Sequence, residues 1–188
     1  AGPLAAGQNG TFTLAYDAVN ASGQTVSGTA PVTVVGLNDP PVAVDDSAAL
    51  DLRAATSVTV DVLANDADPE TGSALTVVSI TPSPIGGCAA VGPGETIGLE
   101  ATRCDGSPSS FYASLGEGES LVDFLYYSAE DSLGARGGAT VDVTVTGVND
   151  APAVTSILVS RRDLTVGDSV RLVGGFTDPD TGDAHSVT

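Results

Sequence analysis

The sequence predicts an all-β chain built from antiparallel β-sandwiches in tandem, on three observations. Val and Thr are frequent, 23 Gly and 11 Pro punctuate the chain, and strong helix formers are sparse. That composition suits short strands and turns. Segments that alternate apolar and polar residues recur at short intervals between turn signals. The third observation is internal repetition. Gly36-Leu37-Asn38-Asp39-Pro40-Pro41 returns 111 residues later as Gly147-Val148-Asn149-Asp150-Ala151-Pro152. Upstream, Leu14, Tyr16, Ala18 and Gly23 align with Leu125, Tyr127, Ala129 and Gly134. Downstream, Asp68-Pro69-Glu70-Thr71-Gly72 aligns, one residue short, with Asp178-Pro179-Asp180-Thr181-Gly182. A period of this size lets each unit hold its own core, unlike a solenoid repeat of about 20–50 residues. It divides the chain into the closing strands of one unit (1–38), a whole unit (39–150) and the opening strands of a third (151–188).

The elements follow in order. Thr11 to Tyr16 alternates, Asn20-Ala21-Ser22-Gly23 turns, and Thr29 to Val35 returns. In the whole unit, Val42–Val44 reads as a short strand, Asp45 and Asp46 lead into a loop, and Ser57 to Leu63 alternates strongly. Asn65 to Gly72 is an acidic turn, followed by a strand from Ala74 to Ile80. Pro82 to Gly94 is too rich in Pro and Gly for a helix. Further strands are expected at Ile97–Thr102, Phe111–Leu115, Leu121–Ala129 and Thr140–Thr146. Asp123 and Tyr127, four apart, fit a tyrosine-corner pattern. The third unit opens with strands at Val154–Val159 and Ser169–Val173 and a second acidic loop, Asp178 to Asp183.

The net charge is −18 and all six cationic residues are Arg. That excludes a generic surface for nucleic acid or anionic membrane, both of which need cationic patches. The acids serve either solubility or cation binding, and 18 of the 24 lie in the whole unit. No apolar run reaches the roughly 18 residues that would suggest a membrane-spanning helix. There is no Met and no leader-like start, so Ala1 reads as an internal point of a longer or processed chain. Cys88 and Cys104 stand 16 residues apart without a second Cys pair or His cluster. A disulfide is the expected reading, with two buried thiols as the alternative.

Two features invite a hard cation. Asp66-x-Asp68-x-Glu70 and Asp178-x-Asp180-x-x-Asp183 place carboxylates on tight Gly-containing turns. Ca²⁺ takes six to eight oxygens at short range, which clustered carboxylates and carbonyls supply. Neither loop has the EF-hand spacing. The repeated Asn-Asp pair, Asn38-Asp39 and Asn149-Asp150, adds oxygens just before a Pro-stiffened linker. The plain alternative is a set of solvated turns.

These motifs resemble a known family. Val62-Leu63-Ala64-Asn65-Asp66-Ala67-Asp68-Pro69-Glu70 looks like the cadherin Asp-x-Asp loop, and Gly147 to Pro152 like the cadherin linker. Asn38 to Asp46 and Asp61 to Asp66 are similar to the bacterial cadherin-like Ig tandem repeats, including VCBS-type units, of large secreted adhesins. Thr165 to Val170 and Thr177 to Asp183 resemble the start of a PKD-type Ig-like domain. The resemblance implies Ig-like sandwiches with Ca²⁺ at the joints. Carried over, it assigns Asn38, Asp39, Asp66 and Asp68 to the first joint, with Glu70 beside them. It assigns Asn149, Asp150, Asp178 and Asp180 to the second, with Asp183 beside them. The cadherin Leu-Asp-Arg-Glu motif is absent. Glu130 and Asp131 are the acids near a turn that would substitute for it.

Catalysis has little support, because the one histidine, His185, has no nucleophile paired with it. The expected function is a secreted or cell-surface structural or adhesive array, a calcium-stiffened stalk or fibre. Its partners are neighbouring repeats or identical subunits, with a surface or glycan ligand beyond them. The incomplete end units read either as a window on a longer array or as halves completed head-to-tail by strand addition from another copy. The rival class is an accessory polysaccharide-binding module of a secreted hydrolase. The scarcity of aromatics, four Tyr, four Phe and no Trp, counts against it.

Overall fold

The computed structural model describes residues 4–70, 72–160, 163 and 165–180. Among them the one regular element that is not a strand is a 3₁₀ turn at Tyr112–Ser114. The all-β expectation therefore holds. The chain divides by its internal contacts into two compact units. One comprises residues 1–44, 63–79 and 127–139, and the other residues 45–62, 80–126 and 140–188.

The first unit contains a long hairpin, β1 (Asn9–Val19) and β2 (Thr25–Val35), paired antiparallel from Asn9↔Val35 to Val19↔Thr25. Its turn is made by Asn20, whose Oδ1 accepts hydrogen bonds from the amides of Ser22 and Gln24. The same unit holds the linker after Gly36, the acidic loop and the turn that follows Glu130. Tyr127, Ala129 and Ala139 are buried in it.

The second unit contains β3 (Asp46–Asp51), β4 (Ser57–Val60), β6 (Cys88–Val91) and β7 (Ile97–Glu100). The long strands β8 (Ser120–Glu130) and β9 (Arg136–Thr146) contribute to both units, as does β5 (Thr76–Ile80). One sheet runs in the order β3-β9-β8-β5 and another in the order β4-β7-β6. β3 pairs parallel with β9, from Asp46↔Val141 to Asp51↔Thr146, while β7 pairs antiparallel with both of its neighbours. Period-2 alternation places Leu125 of β8 and Val141, Val143 and Val145 of β9 on the buried face. Leu50, Ile97 and Leu99 complete this core at 1% exposure or less. Each such side chain stabilises the fold by roughly 1.5–3 kcal/mol. The last pair of strands, β10 (Ala153–Val159) and β11 (Leu172–Thr177), is antiparallel with an irregularity between Val154 and Ser156.

Several local expectations are corrected. Val42–Val44 forms a single bridge, Val42↔Ala67, rather than a strand. Phe111–Leu115 curls into the 3₁₀ turn, with Ser114 Oγ donating to the Phe111 carbonyl. The loop expected after Asp46 is strand β3. Its Asp-Ser-Ala-Ala-Leu-Asp sequence has little β-propensity, and its parallel partner β9 supplies the pairing. β6 was hidden among Pro and Gly, and β11 begins later than Ser169. The Tyr127 hydroxyl reaches the Val44 carbonyl at 3.3 Å and the Asp66 carboxylate, and does not meet Asp123 in any of these bonds. Asp123, fully buried, instead accepts from Tyr112 Oη and from Ser83 Oγ at 2.5 Å. Ser83 Oγ in turn accepts from the amides of Ile85, Gly86 and Gly87. Burial, reinforced by the Asp123 carboxylate, pushes the Tyr112 hydroxyl pKa well up, so it remains a donor. Cys88 and Cys104 form a disulfide with Cα atoms 4.7 Å apart, tying β6 to the loop after β7.

Candidate functional site

The two acidic loops fold alike. In the first, the Glu70 amide donates to Asp68 Oδ1 at 2.7 Å, and Glu70 Oε1 accepts from the Asp39 amide at 3.2 Å. In the second, the Asp180 amide donates to Asp178 Oδ1 at 3.0 Å, and Asp180 Oδ2 accepts from the Asp150 amide at 2.7 Å. Each loop is an Asx-type turn, favoured by Asp two residues before the bonded amide. Each carries one carboxylate that reaches back to the linker's Asp.

What each of these carboxylates leaves over is informative. Asp68 Oδ2, Glu70 Oε2 and Asp180 Oδ1 are buried and have no hydrogen-bond partner. Asp180 as a whole is 5% exposed. An ionised carboxylate can only accept, so a buried oxygen without a donor is costly unless a cation or water meets it. These oxygens are of the hard, anionic type that Ca²⁺ prefers, and the residues fit that ion in donor chemistry. Among the described residues, however, no three His, Cys, Asp or Glu side chains gather into a ready-made metal cluster.

Other expected site residues take different partners. Asp66 accepts from Tyr127 Oη at 2.9 and 3.0 Å and from the Val44 amide at 2.8 Å, so it locks the loop to β8. Asn38 donates from Nδ2 to Asp131 Oδ2 at 2.7 Å. Asp131 Oδ1 accepts from the Leu133 and Ala135 amides, as Asn20 does in the first hairpin. Burial alone would raise the Asp131 pKa. The hydrogen bonds from Asn38 and the turn amides outweigh it and hold the carboxyl below its usual 3.8. Asn149 is exposed and donates to its neighbour's carbonyl, Asp150 O, at 3.2 Å. The Asp39 side chain is exposed, Glu130 pairs with Arg136, and Asp183 and His185 lie outside the described residues.

A second loop escaped the sequence reading. The Gly147 amide donates to Glu119 O at 2.9 Å, and the Glu119 amide to Gly116 O at 3.1 Å. Glu119 Oε2 accepts from the Gly116 amide at 3.1 Å. The turn at residues 4–8 repeats this. Gly36 donates to Gln8 O at 2.8 Å, the Gln8 amide to Ala5 O at 3.0 Å, and the Ala5 amide to Gln8 Oε1 at 3.3 Å. Both turns carry a left-handed glycine, Gly7 at φ 73° and Gly118 at φ 78°. The signal was present: Leu4-Ala5-Ala6-Gly7-Gln8 and Leu115-Gly116-Glu117-Gly118-Glu119 stand one repeat apart. A Cβ built on Gly116 would lie 3.6 Å from Glu119 Oε2 and 3.9 Å from Asp180 Cβ, so this turn abuts the second acidic loop.

The strands, the buried alternation and the repeated linker define a protein of the Ig-like β-sandwich class. Residues 38–144 match the family model described as bacterial Ig domain, and the chain belongs to that family. Among solved structures, the chain is similar to mouse protocadherin-24 EC1-3, with 18% identity and a TM-score of 0.38. The match covers 92% of this chain, which spans 57% of the length of that one. No curated protein gives a match. Membership of the bacterial Ig family fits an extracellular structural or adhesive repeat, a setting in which domains are typically non-enzymatic.

Proposed function

We propose that the chain is a stretch of a secreted or cell-surface array of Ig-like sandwiches, with unit boundaries near Asn38 and Asp150, and that calcium stiffens its joints. The observation that supports this is the duplicate geometry of the acidic loops. In both, a loop carboxylate takes the linker Asp amide and keeps a second oxygen buried without a donor. At the first joint Asp68 and Glu70 would hold the ion, with Asp39 and the linker carbonyls close by. At the second, Asp178, Asp180 and Asp150 would do so, with Asn149 and Asp183 near in sequence. Asp66 and Asn38 act on this reading as positioning residues, through Tyr127 and Asp131. Bound calcium would neutralise crowded carboxylates and tie linker to loop through oxygens of both.

The test is calcium titration of the 188-residue chain by calorimetry, with limited proteolysis alongside. Expected are binding at up to two joints and faster cleavage near Asn38 and Asn149 when a chelator is added. No heat and unchanged cleavage would reject the calcium reading and leave the fold assignment standing.

One observation favours a polysaccharide-binding reading. Phe124 and Tyr126 stand two residues apart on one face of β8, 56% and 49% exposed, where sugar rings could stack. Their counterparts one repeat earlier are Thr13 and Ala15, so this surface is peculiar to the whole unit. A glycan array separates the two readings. Binding that is lost in Phe124→Ala and Tyr126→Ala and indifferent to chelator would favour the module over the strut.

A further inference from the structure

The β1–β2 hairpin has two open edges, since its sheet holds no third strand among the described residues. The ends of its ladder show which backbone groups face outward. The Gly36 amide donates to Gln8 O at 2.8 Å and the Asn20 amide to Gln24 O at 3.0 Å. Bonded pairs alternate with unbonded ones along an antiparallel ladder. With Asn9 opposite Val35 and Val19 opposite Thr25, the even-numbered residues of β1 therefore bond to β2. Asn9, Thr11, Thr13, Ala15, Asp17 and Val19 turn their N–H and C=O groups away from β2. On β2, Pro31 and its odd-numbered neighbours turn theirs away from β1. The whole unit keeps the same parity. Tyr126, one repeat on from Ala15, accepts from the Thr81 amide just after β5 at 2.8 Å.

The two edges are not equivalent. Pro31 removes an N–H from the middle of the β2 edge, where the whole unit has Asp142 paired with Ser47 of β3. Pro on an edge discourages strand addition. β1 has neither a Pro nor a break in its register. The hairpin is also nearly uncharged. Asp17 is the one acid in residues 1–38, and no Arg lies there. In a chain of net charge −18, two copies can approach here with little repulsion.

β1 is, moreover, complementary to itself. Laid antiparallel on a second β1 with Leu14 opposite Leu14, Asn9 meets Val19, Thr11 meets Asp17 and Thr13 meets Ala15. Each of these pairs joins two outward-facing residues, so each can exchange two hydrogen bonds. Between them lie the closer-spaced pairs, Phe12 with Tyr16 and Leu14 with Leu14, all on one face. These three side chains are 50–57% exposed. The two Asp17 carboxylates face Thr11 and not each other. We propose that the outer edge of β1 is a dimerisation site, at which two copies of the chain pair antiparallel about Leu14 and merge their hairpins into one sheet. The contact is isologous and closes at two chains, unlike head-to-tail addition. It requires no ion.

The test combines sedimentation of the 188-residue chain with thiol cross-linking. Cys88 and Cys104 are bonded to each other, so Leu14→Cys supplies a single free thiol. Across the dyad that thiol meets its own copy at a spacing a disulfide can bridge. Thr13→Cys meets Ala15 instead and serves as the register control. Ala15→Pro keeps the β1–β2 hydrogen bonds and removes an outward N–H. Thr29→Pro, directly opposite on β2, does the same at the other edge. Expected are a dimer that does not grow further with concentration and oxidation of Leu14→Cys to dimer about tenfold faster than Thr13→Cys. Ala15→Pro should weaken dimerisation about tenfold or more, and Thr29→Pro should leave it unchanged. A chain that stays monomeric, assembly that continues past the dimer, equal cross-linking of the two thiols or equal effects of the two prolines overturns the proposal. The array and calcium readings stand apart from each of these results.

Discussion

A Cβ built on Gly147 would collide with the carbonyl oxygen and Cβ of Leu115, and one built on Gly36 with the carbonyls of Leu4 and Ala5. Neither glycine has a positive φ, so each is required by the close approach of two backbone segments. Gly147→Ala should cost about 1–3 kcal/mol as the turn is pushed aside, read by denaturant unfolding. Asp123 makes a different demand. Asp123→Ala would leave the Ser83 and Tyr112 hydroxyls without their buried acceptor, an expected loss of roughly 1–3 kcal/mol. Asp131 gives a pH signature. Its folded pKa lies below 3.8, so its stabilisation is present above the unfolded value and lost as pH falls through the folded one. The Asn38 side-chain amide resonances should therefore shift in acid below about pH 3.8, and Asp131→Asn should abolish that shift. Asn38, Asp68 and Glu70 stand out in the sequence as candidates because their motif repeats. The attachment of Asp66 to Tyr127 does not, since it joins residues 61 positions apart.

Among the elements, those that alternate in sequence were readable and those stabilised by distant partners were not. β8 and β9 announce themselves, because buried Leu125, Tyr127 and Ala129 on the one and Val141, Val143 and Val145 on the other alternate with more exposed residues. β3 carries no such pattern on its own and exists by parallel pairing with β9. Phe111 and Tyr112 favour a strand by propensity, whereas burial of Tyr112 beside Asp123 accompanies the 3₁₀ turn found there. The disulfide belongs to this scale too. It closes 16 residues of sequence around β6 and β7, so Cys88→Ser with Cys104→Ser should destabilise by about 3 kcal/mol in the chain-entropy view. Thermal melts of the double variant, and hydrogen exchange of the β6–β7 amides, would measure it.

For the molecule as a whole, the end hairpins matter most. Phe12, Leu14 and Tyr16 are 50–57% exposed, while their counterparts Asp123, Leu125 and Tyr127 are fully buried. On β10, Ile157 and Leu158 are 66% and 67% exposed. Such apolar faces call for a cover, from adjoining repeats or from another copy. The 188-residue chain should therefore self-associate in sedimentation experiments. Leu14→Thr combined with Ile157→Thr should return it toward monomer. A wild-type chain that stays monomeric at high concentration would count against pairing between copies.

The clasp between each turn and its linker glycine has a consequence for how such arrays arise. Because the Gly36 and Gly147 amides donate to carbonyls of their own hairpin's entry turn, the heading on which the backbone departs is set locally. Recombination at the equivalent codons would exchange whole cassettes without disturbing that exit path. Length would then change by the addition or deletion of units, each keeping its own exit path.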